Sequence, residues 1–277
     1  MNAPRVADLL ADARAAGVDR LDAQLLLGRL LGQTRTWLLA HDDATLEPAK
    51  LSAWRGQLAR RAAGEPLAYL LGEKEFHGLL LQVDANVLVP RPETEILVDW
   101  ALELLGGPLR GKSPPRVVDL GTGSGAIAIA IKHACPDALV SATDASAAAL
   151  EVAKANAHRH GLSISFAAGS WWEALPGARL DLVLSNPPYI DGADPHLAAL
   201  QHEPLGALTP GPDGLTALAQ IIGGAPGRLA PGAWLLVEHG YDQADAVQSL
   251  LRAHGFGAIA TRTDLGGLSR CTGGRHG

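Results

Sequence analysis

The chain has 277 residues and a formal net charge of −6; 47% of the residues are hydrophobic and 19% are charged. This composition provides a packed core and, at roughly 100–200 residues per domain, predicts one large domain or two unequal ones. The acidic balance argues against direct nucleic-acid binding, because proteins that grip phosphates usually carry a basic surface. The N-terminal residues lack a signal-peptide pattern, and no apolar run approaches the roughly 18 residues of a membrane span. We therefore expect a soluble, cytoplasmic protein that does not bind membranes.

The two cysteines, Cys135 and Cys271, lie far apart in the sequence and form no CxxC pattern. Disulfide frameworks and structural zinc sites usually show several cysteines at close, regular spacing. We therefore expect two reduced cysteines in or near the core, and no metal site.

Residues 1–72 predict a small helical domain. Apolar residues recur at helical spacing in several segments, and Gly17, Gly32 and Gly64 follow three of these as C-cap candidates. These residues contain no recognisable catalytic group. The helical domain is therefore either a packing module or the part of the chain that docks a partner.

Residues 73–92 predict a β-hairpin that links two domains. Apolar residues alternate over 79–83 and again over 87–89, and the turn-forming residues Asp-Ala-Asn occupy 84–86 between them. Pro90 ends the second alternating segment. A helix with acidic residues in its first turn, "ETEILVDWALELL", follows directly.

Residues 93–277 alternate between predicted strands and predicted helices after a linker-like "SPPR" at 113–116. Repeated β-α units are typical of a mostly parallel sheet that is covered by helices on both faces. The last two predicted strands, "GAIATRTD" and "SRCTGGR", have no helix between them, so one of them should run antiparallel. We expect an α/β domain over this region.

A glycine-rich turn, "DLGTGSG", joins the first strand of this domain to its first helix. Its spacing is G-x-G-x-G, whereas the dinucleotide fingerprint is G-x-G-x-x-G. Asp119 precedes the turn and would repel a pyrophosphate, while it suits a cationic group such as an ammonium; alternatively, it only bonds the turn amides. The second strand ends in Asp144, where a carboxylate can accept hydrogen bonds from both hydroxyls of a ribose.

These features predict a ligand with a ribose and a positively charged tail but no diphosphate, which is the description of S-adenosylmethionine. A dinucleotide and a purely structural turn are the alternatives.

The corner "SNPPYI" follows the fourth strand and is stiff before any substrate binds. A residue that precedes proline is held extended, and both prolines have a fixed φ and no N–H. The side-chain oxygen of Asn186 and the carbonyl of Pro187 are therefore two fixed acceptors, which suit both hydrogens of an –NH₂ group, and Tyr189 can lie against a flat substrate. The simpler alternative is a proline-rich loop with an exposed tyrosine.

Such a corner addresses a chemical difficulty. The lone pair of an amide or an aryl amine is delocalised, so the nitrogen is a poor nucleophile. Holding both N–H bonds aims the nitrogen at a sulfonium methyl, and orientation of this kind supplies roughly 7–11 kcal/mol of a reaction barrier. No strong base is needed, because the nitrogen becomes acidic as the methyl group arrives.

"DLGTGSG", "TD" at 143–144 and "NPPYI" resemble the seven-stranded class I methyltransferases that act on nitrogen. "GEPLAYLLGEKEFHGLLLQV", "LVPRPETEILV", "HEPLGAL", "TDLGGLSRCTGGR" and the helical N-terminal region resemble the HemK/PrmC family, the peptide chain release factor N5-glutamine methyltransferases. This resemblance covers nearly the whole chain.

The resemblance implies a class I S-adenosylmethionine-dependent methyltransferase domain at 93–277 and a substrate-docking domain at 1–72. The implied substrate is the glutamine of the GGQ motif in class 1 release factors. The implied catalytic residues are Asn186, Pro187 and Tyr189, and Pro188 joins them in binding the substrate. The implied donor-binding residues are Gly121, Thr122, Gly123, Ser124, Gly125, Asp144, Trp171 and Asn186.

Some residue roles stay open. The family often has an acid before the aromatic residue beside the adenine, but this chain has Ser170, so either Trp171 or Trp172 is the stacking residue. Arg91 either forms a wall of the donor site or pairs with Glu93 or Glu95. Glu238 and His239 end the fifth strand of the domain, where a satisfied strand terminus is favoured over a ligand contact.

Two rival functions remain. "NPPY" is shared with DNA adenine methyltransferases, so the chain is alternatively an N6-adenine methyltransferase that acts on nucleic acid. A non-catalytic module that senses the donor or escorts release factors is the third possibility, although its corner should be degraded and here it is intact.

Overall fold

The computed structural model describes residues 3–111, 114–175, 177 and 179–277. The chain divides into two compact units, Met1–Glu73 and Lys74–Gly277. Ser113 of the predicted linker lies outside the described residues.

The first unit is helical. Its described helices are α1 (Val6–Ala15), α2 (Arg20–Leu31), α3 (Arg35–Ala40), α4 (Pro48–Ala62) and α5 (Leu67–Leu71). The Asp19 side chain caps the start of α2, where it accepts from the Leu21 N–H. Gly32 ends that helix in the left-handed conformation. The fully buried Trp54 of α4 belongs to a core that all five helices share.

A two-stranded sheet of β1 (Glu73–Phe76) and β2 (Leu79–Gln82) follows these helices in the chain. The two residues between the strands, His77 and Gly78, have φ values of 49° and 77°. Positive φ at both positions is the requirement of a type I′ hairpin turn.

The hairpin is therefore shifted from its predicted position, and the predicted strand at 87–89 is wrong. The predicted turn at 84–86 is present, but it does not join two paired strands. The Asn86 N–H donates to Asp84 Oδ1 at 2.9 Å, which makes a local turn. The Val89 N–H donates to the side chain of Glu203 at 3.0 Å instead of to a neighbouring strand. The apolar alternation here reflects burial of Val87 and Val89 rather than strand pairing.

The second unit is built on a seven-stranded sheet with the order β5-β4-β3-β6-β7-β9-β8. The strands are β3 (Arg116–Leu120), β4 (Leu139–Asp144), β5 (Ser165–Ala168), β6 (Leu180–Ser185), β7 (Leu229–Glu238), β8 (Phe256–Thr263) and β9 (Ser269–His276). Strands β3 to β7 pair in parallel, and β9 runs antiparallel to both β7 and β8. The predicted mostly parallel sheet with a final antiparallel strand is confirmed.

Helices cover both faces of this sheet. They are α6 (Glu95–Gly106), α7 (Ala126–Ala134), α8 (Ala147–Arg159), α9 (Thr216–Gly224) and α10 (Ala244–Ala253). One core contains α6 and α7 together with Leu182 and Leu184 of β6. The other core contains α9 and α10 together with Val183 of β6. The alternation along β6 is the two-residue period of a strand that is buried on both faces.

In the described part of the chain, no helix is both long enough and apolar enough to cross a membrane. The same residues contain no group of three or more His, Cys, Asp or Glu side chains that is placed to hold a metal ion. Cys135 and Cys271 are both free thiols, and Cys271 is fully buried.

Candidate active site

A cavity of about 300 Å³ lies in the second unit, at the carboxyl ends of β3, β4 and β6. Open parallel sheets bind their ligands at this edge, where the central strands lead into loops on opposite sides. The cavity brings together eight of the predicted site residues: Gly121, Thr122, Gly123, Ser124, Asp144, Trp171, Asn186 and Pro188. Gly125, Pro187 and Tyr189 do not line it.

The glycine-rich turn after β3 forms one wall of the cavity. Its three glycines have φ values of 72°, 55° and 84°, a region that other residues rarely adopt. A Cβ atom at Gly121 would lie 3.0 Å from Trp171, and a Cβ atom at Gly125 would lie 2.9 Å from Ile129. A Cβ atom at Gly123 would meet nothing within 4 Å. Gly121 and Gly125 thus permit close packing, whereas Gly123 leaves the backbone open to a ligand.

Asp144 ends β4 at the mouth of this turn. Its Oδ2 accepts from the Gly123 N–H at 2.9 Å, and its Oδ1 accepts from the Ser146 N–H at 2.8 Å. Each carboxylate oxygen has a second lone pair, so Asp144 is fixed by the backbone and can still accept hydrogen bonds from a ligand diol.

Asp119 lies beneath the turn and does not line the cavity. It is 1% exposed, and its Oδ2 accepts from the Thr122 hydroxyl at 2.5 Å. Burial raises the pKa of Asp119 to about 7. Of the two roles expected for Asp119, the structure shows a bond within the turn, while a contact with a cationic ligand group stays a prediction.

Trp171 and Trp172 have different environments. Trp171 lines the cavity, and its Nε1 donates to Gln220 at 2.9 Å. Trp172 is 8% exposed, belongs to the core, and donates from its Nε1 to the Ile221 carbonyl at 3.0 Å. Of the two candidates, Trp171 is the one that offers its ring to a ligand.

The corner after β6 forms the wall opposite the glycine-rich turn. The Ser185 hydroxyl donates to the Leu120 carbonyl at 2.7 Å, which joins the ends of β6 and β3. Asn186 lines the cavity, and its Nδ2 donates to Thr94 Oγ1 at 3.1 Å. Its Oδ1 remains as an acceptor in the same carboxamide. Pro187 is buried, while Pro188 contributes to the cavity wall.

Tyr189 turns away from the cavity wall towards β7. Its hydroxyl donates to Glu238 Oε1 at 3.2 Å, and its carbonyl accepts from the Gln243 side chain at 3.0 Å. Burial and the nearby Glu238 raise the pKa of Tyr189, so that the phenol stays protonated and is a donor. Packing of this ring against the substrate stays a prediction.

Arg91 lines the cavity and also forms an ion pair, but its partner is neither Glu93 nor Glu95. Its guanidinium donates to Glu203 Oε1 at 2.5 Å, and Glu203 also accepts from Val89. Glu203 is 7% exposed and precedes a second group of cavity residues: Pro204, Gly206 and Ala207. This ion pair therefore holds the loop after the corner against residues 89–91.

Thr94 and Glu203 were not predicted as site residues. Thr94 contacts Asn186 across 92 positions of sequence, and Glu203 contacts Arg91 across 112. Nothing near Thr94 in the sequence indicates its contact with Asn186. The acid in "HEPLGAL" is the one available signal, since a charged residue in an otherwise apolar loop often has a distant partner.

Comparison with known proteins shows the family to which the chain belongs. The family model of the methyltransferase small domain matches residues 95–203, and that of the PrmC N-terminal domain matches residues 5–72. A release factor glutamine methyltransferase of Bordetella pertussis is 54% identical over 270 residues, which cover 96% of this chain and 97% of the relative. The chain belongs to the release factor glutamine methyltransferase family. A second relative with the same name, from Burkholderia pseudomallei, is 48% identical. The matched region covers 95% of this chain and 94% of the relative.

Solved structures show the fold that this release factor glutamine methyltransferase family member shares with other methyltransferases. The hMettl16 catalytic domain in complex with MAT2A 3′UTR hairpin 6 has a TM-score of 0.58 at 18% identity. The matched region covers 79% of this chain and 81% of the hMettl16 chain. The ribosomal protein L11 methylase of Lactobacillus delbrueckii subsp. bulgaricus has a TM-score of 0.50 at 20% identity, and covers 71% and 86%. The predicted class I methyltransferase fold is confirmed, and the chain is a methyltransferase that uses S-adenosylmethionine.

The cavity of this family member fits that donor. Its volume lies at the lower end of the range of about 300–1,000 Å³ for small-molecule sites. It offers an open backbone at Gly123, a fixed carboxylate at Asp144 and an aromatic ring at Trp171. These groups match a close approach to the main chain, a ribose diol and a flat base.

Proposed function

We propose that the chain transfers a methyl group from S-adenosylmethionine to the side-chain amide nitrogen of the glutamine in the GGQ motif of class 1 peptide chain release factors. The observation that carries this proposal is the corner after β6, where the Asn186 carboxamide lines the donor cavity while its nitrogen is already engaged by Thr94. The oxygen that remains is an acceptor, which a carboxamide substrate needs and a carboxylate substrate does not.

The corner orients the substrate. Asn186 Oδ1 accepts one N–H of the glutamine amide, and the Pro187 carbonyl accepts the other. Because both residues precede a proline, their extended backbone is set before the substrate binds. Each hydrogen bond is worth about 0.5–1.5 kcal/mol in the ground state, and more as positive charge develops on the nitrogen.

The donor supplies an electrophilic methyl group on a sulfonium sulfur. The glutamine nitrogen would form the new N–C bond as the methyl C–S bond breaks, with the electron pair returning to sulfur to give S-adenosylhomocysteine, and one of the two amide protons would then leave to solvent. Asp119 does not line the cavity, and Asp144 is engaged by two amides, so neither is placed as a general base. Asn186 and Pro187 thus act by orientation and charge stabilisation.

The helical residues 1–72 dock the release factor in this proposal, and residues 73–92 join them to the methyltransferase domain at 93–277. The match of residues 5–72 to the PrmC N-terminal domain model supports a conserved role for them within the family. The reaction belongs to translation termination and takes place in the cytoplasm, without direct binding of nucleic acid. The net charge of −6 supports the last point.

The test is mass spectrometry of a purified class 1 release factor after incubation with the chain and the donor. We expect a single added methyl group on the GGQ glutamine, and none when that glutamine is replaced. Asn186→Ala should reduce turnover by at least about 100-fold because orientation is lost. Methylation of a DNA or RNA substrate in preference to the release factor would support the adenine alternative instead.

A further inference from the structure

Glu238 is a buried carboxylate at the end of β7, behind the corner. It is 1% exposed, and its Oε1 accepts from the Tyr189 hydroxyl. Its Oε2 is buried and has no hydrogen-bond partner of normal geometry among the described residues. A buried carboxylate is costly unless donors surround it, so its neighbours should explain why an acid stands here.

Thr94 is the neighbour that connects Glu238 to the site. It is 4% exposed, and its Oγ1 accepts from Asn186 Nδ2. A hydroxyl that accepts one hydrogen bond still has its own hydrogen to donate. Interaction with the Thr94 hydroxyl lowers the pKa of Glu238, which indicates that this hydroxyl faces the carboxylate. The hydrogen of Thr94 and the free oxygen of Glu238 therefore complement each other.

The hydrogen bond from Asn186 to Thr94, and the Thr94 hydroxyl that faces Glu238, define a chain of polar contacts with one direction. An ionised carboxylate only accepts, so the Thr94 hydroxyl points its hydrogen at Glu238 and offers its oxygen to Asn186. The Asn186 carboxamide then has one orientation, with Nδ2 towards Thr94. The same carboxylate also accepts from the Tyr189 hydroxyl, so it contacts the corner directly at Tyr189.

We propose that Glu238 is a positioning residue for methyl transfer, which uses Thr94 to fix the Asn186 carboxamide with its oxygen available to the substrate amide. This inference rests on the proposed function, because it assumes that Asn186 binds a carboxamide. Glu238 itself does not line the cavity and touches neither donor nor substrate.

The protonation state of Glu238 gives this role a pH signature. Burial, together with Glu93, raises the pKa of Glu238 to about 7, although Thr94, Tyr189 and Arg270 on β9 act to lower it. Burial, and then the Glu238 charge, raises the pKa of the Cys271 thiol on β9, which stays protonated. A protonated Glu238 can donate to Thr94 and reverse the direction of the chain. We therefore expect kcat to rise with pH through about 7 in the wild-type protein.

The test compares Glu238→Gln, Thr94→Val and Thr94→Ser with the wild type on the release factor. Glu238→Gln and Thr94→Val should each lower kcat roughly 10- to 100-fold and remove its rise near pH 7, with little change in the affinity for S-adenosylhomocysteine. Thr94→Ser keeps the hydroxyl and should restore most of kcat. The double variant should be no slower than the slower single variant, since both act through one chain.

Asp181→Asn is the matched control. Asp181 is also a buried carboxylate of the sheet, 5% exposed on β6, but it accepts from the Arg116 N–H and does not line the cavity. It should change thermal stability but neither kcat nor its pH profile. Independent losses from Glu238→Gln and Thr94→Val that multiply in the double variant would overturn the proposal, as would kcat values within two-fold of wild type.

A second readout does not depend on activity. The side-chain NH₂ signals of Asn186, assigned by their loss in Asn186→Asp, should show slow hydrogen exchange in the wild type and fast exchange in Thr94→Val. Equal exchange rates would contradict the inference. A wild-type protein that leaves the release factor unmethylated would instead count against the proposed function and leave this readout intact.

Discussion

At the scale of single residues, the two adjacent tryptophans show how one backbone angle separates two roles. Trp171 has a φ of 45°, which is unusual for a bulky residue, and it stands at the start of a short 3₁₀ helix, Trp171–Ala174. This conformation places its ring against Gly121 in the cavity wall, while Trp172 enters the core beside Gly224. Because Trp171 and Trp172 are adjacent and of the same type, the sequence alone could not show which of them faces the cavity.

We predict different defects for Trp171→Ala and Trp172→Ala. Loss of the Trp171 ring should weaken binding of S-adenosylmethionine by about 1–3 kcal/mol, the usual contribution of stacking between an aromatic ring and a base. Loss of the buried Trp172 ring should lower the free energy of unfolding by about 3–5 kcal/mol. Titration calorimetry and urea denaturation of both variants check this, and equal effects of the two variants on donor affinity would refute it.

At the scale of elements, the sequence predicted the strands and helices of the sheet well but misplaced the hairpin. Strands such as β3 and β6 are short, mostly apolar segments between turn signals, and the β-α alternation indicates a mostly parallel sheet. Residues 87–89 show the apolar alternation of a strand. However, the Val89 N–H donates to the side chain of Glu203, which lies 114 positions away in the sequence, and not to a neighbouring strand. The loop after the corner also depends on this contact, and a distant partner is not visible in local sequence.

Glu203→Ala should loosen that loop. The substitution leaves the buried Val89 N–H without its acceptor and Arg91 without its partner, at a cost of about 1–3 kcal/mol in the free energy of unfolding. Donor affinity should fall as well, because Pro204, Gly206 and Ala207 line the cavity.

Hydrogen exchange of residues 190–215 measures the loosening directly. Asp194→Ala is the control: Asp194 lies in the same loop, is more exposed and bonds His196, and its loss should leave donor affinity unchanged. Unaltered exchange in Glu203→Ala would show that the ion pair does not hold the loop.

At the scale of the whole molecule, the folded state carries buried acids that oppose stability at neutral pH. Asp119 and Glu238 are each about 1% exposed, and burial raises the pKa of each to about 7. In the unfolded chain both carboxyls ionise near pH 4. Between about pH 4 and pH 7 these two carboxyls therefore bind more protons in the folded state than in the unfolded state, and their contribution to stability falls as the pH rises through this window.

Asp119→Asn should remove the contribution of Asp119 to the fall in stability between pH 4 and pH 7. A single group contributes up to about 1.4 kcal/mol per pH unit within the window, so the variant should gain stability relative to the wild type as the pH increases from 4 to 7. Urea denaturation across this pH range provides the measurement. Acids with a lowered pKa, such as Asp8 and Asp264, titrate below the window and remain in both proteins. A constant difference in unfolding free energy would rule out a buried, titrating Asp119.

The central claim is that the corner after β6 holds a carboxamide by both of its protons and points the nitrogen at the methyl carbon. A structure of the chain with S-adenosylhomocysteine and a GGQ peptide tests it most directly. We expect the glutamine Nε2 within hydrogen-bond distance, about 2.7–3.2 Å, of both Asn186 Oδ1 and the Pro187 carbonyl, and facing the donor sulfur. A glutamine amide that bonds neither atom, or that faces away from the sulfur, would contradict the mechanism.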